Sequence, residues 1–434
     1  MYSTQQGVPR IETQRSTQVS DVSQQSKSGD MFVNNLIYEQ PKALSLAVNR
    51  TYSKQYFQRS AYEGGRQTTM VCDWNTGTSY INAANSYLSF EVRVEGGTAN
   101  FASGSAVNLL NEIRIRSRSG TELDRLQNLN LWSRMTSLYT RSNEHLQTIG
   151  SVEGFGDQRS GPNDPAYLQD GQYVKFCIPL ERLSLFFKPI KHQLIPPQLA
   201  SGLHLEIVLE DFRTAFFQKS GTITGYDLKS LEFHLDVVEL TDDTQRALNM
   251  ESASDGLEFA YERIFTATSQ QPTLQTNVSQ QIRKAVSQAC FVTSMAISQA
   301  DRIDVTKDSM ASIQFNFSSF QYRLGALYFP HQAVNNAADG REAFIISQEV
   351  YDKLKHPAMP GSVKLTNFIN GEGVLSASFE KDTSLNLSGL PINNSRVLEL
   401  NCEFESVTEP LEIVSFLQYC SVARSFIDNT AVAI

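Results

Sequence analysis

Cysteine is scarce in this chain of 434 residues: there are five, at Cys72, Cys177, Cys290, Cys402 and Cys420. The number is odd, the spacing is wide and no Cys-x-x-Cys pair occurs, which argues against a disulfide scaffold. Cys402 and Cys420 fall in apolar strand patterns and read as buried thiols. Histidine is equally sparse. His145, His192, His204, His234, His331 and His356 include no His-x-x-x-His pair, so no metal and no other cofactor is expected. His204 and His234 alternate with apolar positions and read as surface or edge histidines. Asp301, Asp304 and Asp308 lack the glycine and spacing of a calcium loop and read as solvated loop acids. There is no GxxxxGK[ST] phosphate loop, no GxGxxG after a strand and no GxSxG elbow, and the chain is not expected to be an enzyme. Long apolar runs are missing as well. None reaches membrane-spanning length, and residues 1–30 hold no apolar signal-peptide core. A reducing compartment is expected.

Positive charge is also short. Thirty-seven Lys and Arg stand against forty-six Asp and Glu, a net charge of −9. That balance argues against a protein whose task is to neutralise phosphates, and no strong direct binding of nucleic acid is expected. Residues 1–30 carry three bases (Arg10, Arg15, Lys27) and three acids (Glu12, Asp21, Asp30). This Ser- and Gln-rich stretch predicts a neutral, disordered polar arm over residues 1–35. Two readings stay open for it: a bland tail, or an arm that orders against neighbours on assembly.

What is plentiful is strand pattern. Phe (25) and Tyr (16) are numerous, and such residues favour strands. Structure is expected to start near Thr68. Leu88, Phe90, Val92 and Val94 alternate with polar residues until Gly96-Gly97, which reads as the end of a strand. Tyr173 to Leu180, Leu203 to Leu209 and Leu231 to Val237 repeat the period of two. A polar hinge follows over residues 241–256. Beyond it, strands are expected at Leu257 to Tyr261, around Ile313, Phe315 and Phe317, and from Leu398 to Phe404. Glu412 to Phe426 is apolar on both faces. A helix is expected from Gly340 to His356, with Ala343, Ile346, Val350 and Leu354 on one face and Pro357 as its stop.

The most informative stretch runs from Ala106 to Thr140. Ile113, Ile115 and Ser117 alternate with Arg114, Arg116 and Arg118, the period of a strand with one covered face. Ser119-Gly120 is a turn. Leu131, Trp132, Met135, Leu138 and Tyr139 then recur at helical spacing. Arg114, Arg116, Arg118 and Arg125 form the one charged cluster of interest, with Lys188, Lys191 and His192 as further contributors. As a solvated strand face, the arginines would pair with Glu122 and Asp124. As a functional patch, they would contact a neighbouring subunit or an acidic partner inside an assembly, where the planar guanidinium favours two-pronged pairing with carboxylates.

Each half of the chain thus holds several strands, a mid-domain helix and further strands. The fold class expected is all-β: two successive β-sandwiches of jelly-roll type with short helical insertions. The first spans 36–240, a linker 241–256, and the second 257–434.

In this layout the chain resembles the double jelly-roll major capsid proteins of icosahedral DNA viruses, a family that includes large DNA viruses, virophages and polinton-like elements. The segment NLLNEIRIRSRSGTELDRLQNLNLW resembles the family's strand, glycine turn, acidic residue and helix, with Ser119-Gly120 where family members often carry two glycines. Phe176-Cys-Ile-Pro-Leu180 followed by Leu194 to Leu209 resembles its next block. The resemblance implies a structural protein that self-assembles as a homotrimer of pseudo-hexagonal outline. Both jelly rolls would stand upright in an icosahedral shell. It also implies neighbouring capsomers, and penton or minor capsid proteins, as partners in the virion. An inner membrane or core layer is left open. Two rival readings remain: a carbohydrate-binding or glycan-hydrolysing β-sandwich, which exposed aromatic platforms and paired carboxylates would support, and a single-jelly-roll coat protein with a projecting domain.

Overall fold

The computed structural model describes residues 47–156, 161–162, 164, 166–190, 193–313, 316–335, 339–351, 361–380, 388–393, 396–426 and 431–433. The 1–35 arm, Lys191, His192, Phe315, His356 and Pro357 lie outside the described residues. Residues 47–434 form one compact unit.

Ten strands come from the first half of that unit: β1 (Ala47–Tyr56), β2 (Ala61–Glu63), β3 (Thr69–Asp73), β4 (Tyr80–Phe101), β5 (Leu110–Arg116), β6 (Glu122–Gln127), β7 (Tyr167–Leu168), β8 (Val174–Pro179), β9 (His204–Leu209) and β10 (Phe216–Leu240). They form two sheets. One is ordered β1-β10-β4-β7, with β2 added to β10 and β8 to β4; the other is β3-β9-β5-β6. The second half repeats the plan with β11 (Leu257–Gln271), β12 (Asn277–Ile282), β13 (Val286–Ser298), β14 (Phe317–Leu324), β15 (Leu327–Asn335), β16 (Leu375–Ser378), β17 (Leu390–Ile392), β18 (Leu398–Phe404), β19 (Leu411–Ser425) and β20 (Ala431–Ala433). Its sheets are β11-β19-β13-β16, with β17 and β20 attached, and β12-β18-β14-β15. Among the described residues each half is therefore a six-stranded sheet and a four-stranded sheet, and no sheet mixes strands of the two halves. Three longer helices accompany them: α1 (Leu129–Thr140), α2 (Asp242–Ser254) and α3 (Arg341–Val350). None among the described residues is long and apolar enough to cross a membrane.

The strand periods decide which side chains are inside. Leu205, Ile207 and Leu209 of β9 and Ile113 and Ile115 of β5 are fully buried, as are Leu88, Phe90, Val92 and Val94 of β4. In β19 both faces are covered: eleven of its fifteen positions are buried. Trp132, Met135 and Tyr139 of α1 are buried as their spacing predicts.

Several boundaries differ from the sequence reading, each for a physical reason. The described residues already form a strand, β1, some twenty residues before Thr68. This edge strand is exposed on most positions, so it carries no alternation to detect. Gly96-Gly97 does not end a strand; β4 runs through it to Phe101. Gly96 has φ +87, and a Cβ there would lie 2.3 Å from the Thr222 carbonyl oxygen. The glycines let β4 and β10 approach where their register shifts between Gly221 and Gly225. The polar hinge is a helix, α2, with Asp242 and Asp243 in its first turn, where acids favour a helix N-terminus. Only one of its side chains, Ser252, is buried, so hydrophobic periodicity gave no signal. Ile313 precedes β14 and is not part of it. α3 starts after Gly340 and reaches Val350, with residues 352–360 outside the described ones.

Candidate assembly surface and the seam between the sandwiches

The outer face of the β3-β9-β5-β6 sheet is a ladder of alternating charge. Because Ile113 and Ile115 point inward, Glu112, Arg114 and Arg116 of β5 point outward. Glu206 and His204 of β9 lie beside them through the β5/β9 register, and Arg125 of β6 faces Arg114. Two like charges directly opposite each other would repel, but Glu112 sits between them. Arg114 donates to it at 2.6 Å and Arg125 at 2.8 Å. Arg116 donates to Glu206 at 3.1 Å. His204 bonds Glu206 at 3.3 Å and Asp73 of β3 at 2.6 Å. Burial opposes ionisation of Glu112, but the hydrogen bonds from Arg125 and Arg114 outweigh it and hold the carboxyl below its ordinary range. Burial likewise opposes charge on His204, and the bonds to Asp73 and Glu206 outweigh it, raising its pKa.

The pairing of the arginines is therefore with Glu112 and Glu206, not with Glu122 and Asp124 as the sequence reading had it. Arg118 lies past the end of β5, is exposed, and has no acid within ion-pairing distance among the described residues. Lys188 is not part of this ladder. It is exposed and lines a separate cavity of about 240 Å³ with Glu262, Arg182 and Tyr351. Exposed ion pairs contribute little to stability, about 0–1 kcal/mol each.

The acids Glu122 and Asp124 serve the seam between the halves. Asp124 stands opposite Ile115 and is 2% exposed. It accepts a hydrogen bond from the Ser184 hydroxyl, and Arg263 of β11 approaches Asp124 at 3.4 Å and Glu122 at 3.5 Å. Burial raises the Asp124 pKa, opposed by the Ser184 bond and the Arg263 charge. Beside this pair, Tyr261 of β11 donates to the Leu123 carbonyl at 2.6 Å and Thr266 to the Gln127 carbonyl at 2.7 Å. The Phe186 ring lies 5.4 Å from Phe259 and 5.1 Å from Tyr261, contacts that add to plain burial. Elsewhere along the seam Tyr139 donates to the Glu372 carbonyl at 2.8 Å, the Ser362 amide to the Leu138 carbonyl at 2.8 Å and the Gln218 amide to the Val305 carbonyl at 2.7 Å. Asp308, read as a solvated acid, instead accepts from the Ser103 amide at 3.1 Å.

Sequence reasoning missed the seam residues Phe186, Tyr261 and Arg263. The signal available was Asp124, an acid at an inward-facing register of a strand, which demands a partner from elsewhere. His204 and His234, read as surface or edge histidines, are half-buried and hydrogen-bonded: His234 stacks on Tyr87 at 4.6 Å and bonds Glu232 at 2.8 Å. Trp74 and Trp132 are 1% and 3% exposed, so neither offers a platform to a sugar.

No family model matches the sequence, and no curated protein does. Solved structures do match in fold. The Faustovirus major capsid protein aligns at TM-score 0.63 and 8% identity, covering 94% of this chain and 97% of that one. A chain of the PBCV-1 virus capsid aligns at 0.61 and 12%, covering 91% and 99%. The mavirus major capsid protein aligns at 0.53 and 10%, covering 100% and 96%. With a six-plus-four-stranded sandwich in each half and this match along nearly its whole length, the chain has the double jelly-roll fold of these viral capsid proteins.

Proposed function

We propose that the protein is a major capsid protein, a structural component of an icosahedral virion that assembles as a homotrimer. The observation that carries this reading is the seam. Two sandwiches in one chain are locked by Tyr261, Arg263 and Phe186 against β6 and its neighbours, so each chain presents two rigid corners. Three such chains in cyclic symmetry present six, and a six-cornered block tiles a hexagonal lattice. The first jelly roll is taken as 36–240, the connection as 241–256 and the second as 257–434.

Two surfaces support self-association. β1 is an edge strand whose outer side pairs with no described strand, and Tyr52 and Tyr56 on one of its faces are 63% and 65% exposed. Exposed tyrosines beside an edge that no described strand covers serve as anchors for a neighbouring subunit. The charged ladder with exposed Arg118 offers guanidinium groups to acidic patches on adjacent capsomers. Penton or minor capsid proteins are the other partners. A net charge of −9 leaves neutralisation of the genome to other components.

Electron microscopy of the purified full chain tests the reading. Particles of hexagonal outline, with sheets or closed shells at high concentration, are expected. Isolated particles the size of one chain at every concentration, salt and pH would overturn it.

A further inference from the structure

Three neighbouring strands of the second sandwich each aim one metal-ligating side chain at a common point. Glu262 of β11 and Cys420 of β19 are directly opposed in register and so share a face of the sheet. Cys290 of β13 falls where the β13/β19 register slips between Ala289 and Phe291. That bulge brings its Sγ to 3.4 Å from the Sγ of Cys420. One ligand atom from each of Glu262, Cys290 and Cys420 lies within 4.8 Å of the others. The two thiols are 2% and 6% exposed.

We propose that Glu262, Cys290 and Cys420 form a binding site for a thiophilic divalent cation of the zinc type. Zinc takes thiolate sulfur at about 2.3 Å and carboxylate oxygen at about 2.0–2.2 Å. Two sulfurs on a tetrahedral ion with such arms stand about 3.8 Å apart. The observed 3.4 Å is close to that spacing and well beyond the roughly 2.05 Å of a disulfide bond. Three protein ligands leave a fourth position for water. Glu262 also lines the cavity of about 240 Å³ beside α1, the side from which an ion would approach.

The surroundings fit the charge. On binding, both thiol protons leave to solvent and the sulfurs coordinate as thiolates. Two thiolates and a carboxylate around a divalent ion leave one net negative charge, and the Lys188 ammonium already acts on Glu262 across the cavity. Gln418 hydrogen-bonds Glu262 and fixes its orientation, as outer partners of metal ligands do. Without an ion, burial and the neighbouring thiol raise the Cys290 pKa far above its ordinary value, with Cys420 the first cause.

The test uses the full chain, purified with reductant, stripped with chelator and titrated with Co²⁺ as a spectroscopic probe, then with Zn²⁺. One Co²⁺ per chain is expected, with a thiolate-to-metal charge-transfer band that Zn²⁺ abolishes by displacement. Cys290→Ser and Cys420→Ser each remove the band, Glu262→Gln weakens binding at least tenfold, and Cys177→Ser leaves it unchanged. No thiolate band in the unaltered protein would overturn the proposal, whatever the variants do. So would a band that survives the Cys290→Ser, Cys420→Ser double substitution. Reduced protein that binds no metal while air-exposed protein carries a Cys290–Cys420 disulfide would assign the pair to redox chemistry instead.

Discussion

The Tyr261 phenol of the second sandwich donates its hydrogen to the Leu123 carbonyl of the first at 2.6 Å, and the ring that carries it is fully buried. This bond, together with that from Thr266 to the Gln127 carbonyl, joins the edge strands of two separate sheets, β6 and β11. It closes a carbonyl that burial would otherwise leave without a partner.

Tyr261→Phe removes the hydroxyl and keeps the ring against Phe186. The expected loss is about 1–3 kcal/mol, the cost of one buried acceptor left unsatisfied. Chemical denaturation measures it. Because the bond spans the seam, the variant's unfolding is also expected to broaden or split as the two halves lose common cooperativity.

Asp236 makes stability depend on acid. Its side chain is fully buried, and it accepts from Arg50 Nε at 2.8 Å, Asn82 at 3.0 Å and Asn85 at 3.1 Å. Burial opposes ionisation, but the bonds from Arg50, Asn85 and Asn82 outweigh it and lower the pKa. A carboxyl with a lowered folded pKa stabilises the protein above its unfolded value of about 3.9, and that contribution is lost as pH falls through the folded value. Asp236→Asn should therefore cost about 1–3 kcal/mol at neutral pH and flatten the stability profile between about pH 5 and pH 2. Denaturant midpoints across that range check both.

Tyr52 and Tyr56 separate assembly from folding. Both rings are mostly exposed on β1, so replacing the pair by Ser is expected to move chain stability by less than about 0.5 kcal/mol. Association should weaken at least tenfold, read by sedimentation over a dilution series. A large fall in stability with association intact would remove β1 from the assembly surface.

Arg118 and Arg125 answer for the charged ladder. Arg118→Glu alters a side chain without an ion-pair partner among the described residues, and Arg125→Glu places an acid beside Glu112. Both variants are expected to fold, with lateral association of capsomers reduced and less sensitive to salt than in the unaltered chain, as lost cross-interface charge pairs dictate. Light scattering against ionic strength follows it.

The sequence exposes what repeats with a period. Ile113 and Ile115, Leu205 and Ile207, and Trp132 with Met135 announce their strands and helix because each packs one face on a core. β1 is silent for the opposite reason: an exposed edge strand needs no apolar alternation. Gly96-Gly97 misleads because the residue that ends a strand also permits two strands to touch, and only the position of β10 separates the cases. The charged cluster was legible in its arginines and not in its partners, since Glu206 comes from β9, ninety residues away along the chain. Cys290 and Cys420 are 130 residues apart, and a bulge places them together, a feature that leaves no trace in spacing.

The mass of the purified chain in solution, measured by light scattering at neutral pH and moderate salt, tests the capsid reading most directly. A mass three times the 48.5 kDa of the chain, stable on dilution, is the result predicted for a capsid protein built from paired jelly rolls. A single-chain mass at all concentrations would contradict it.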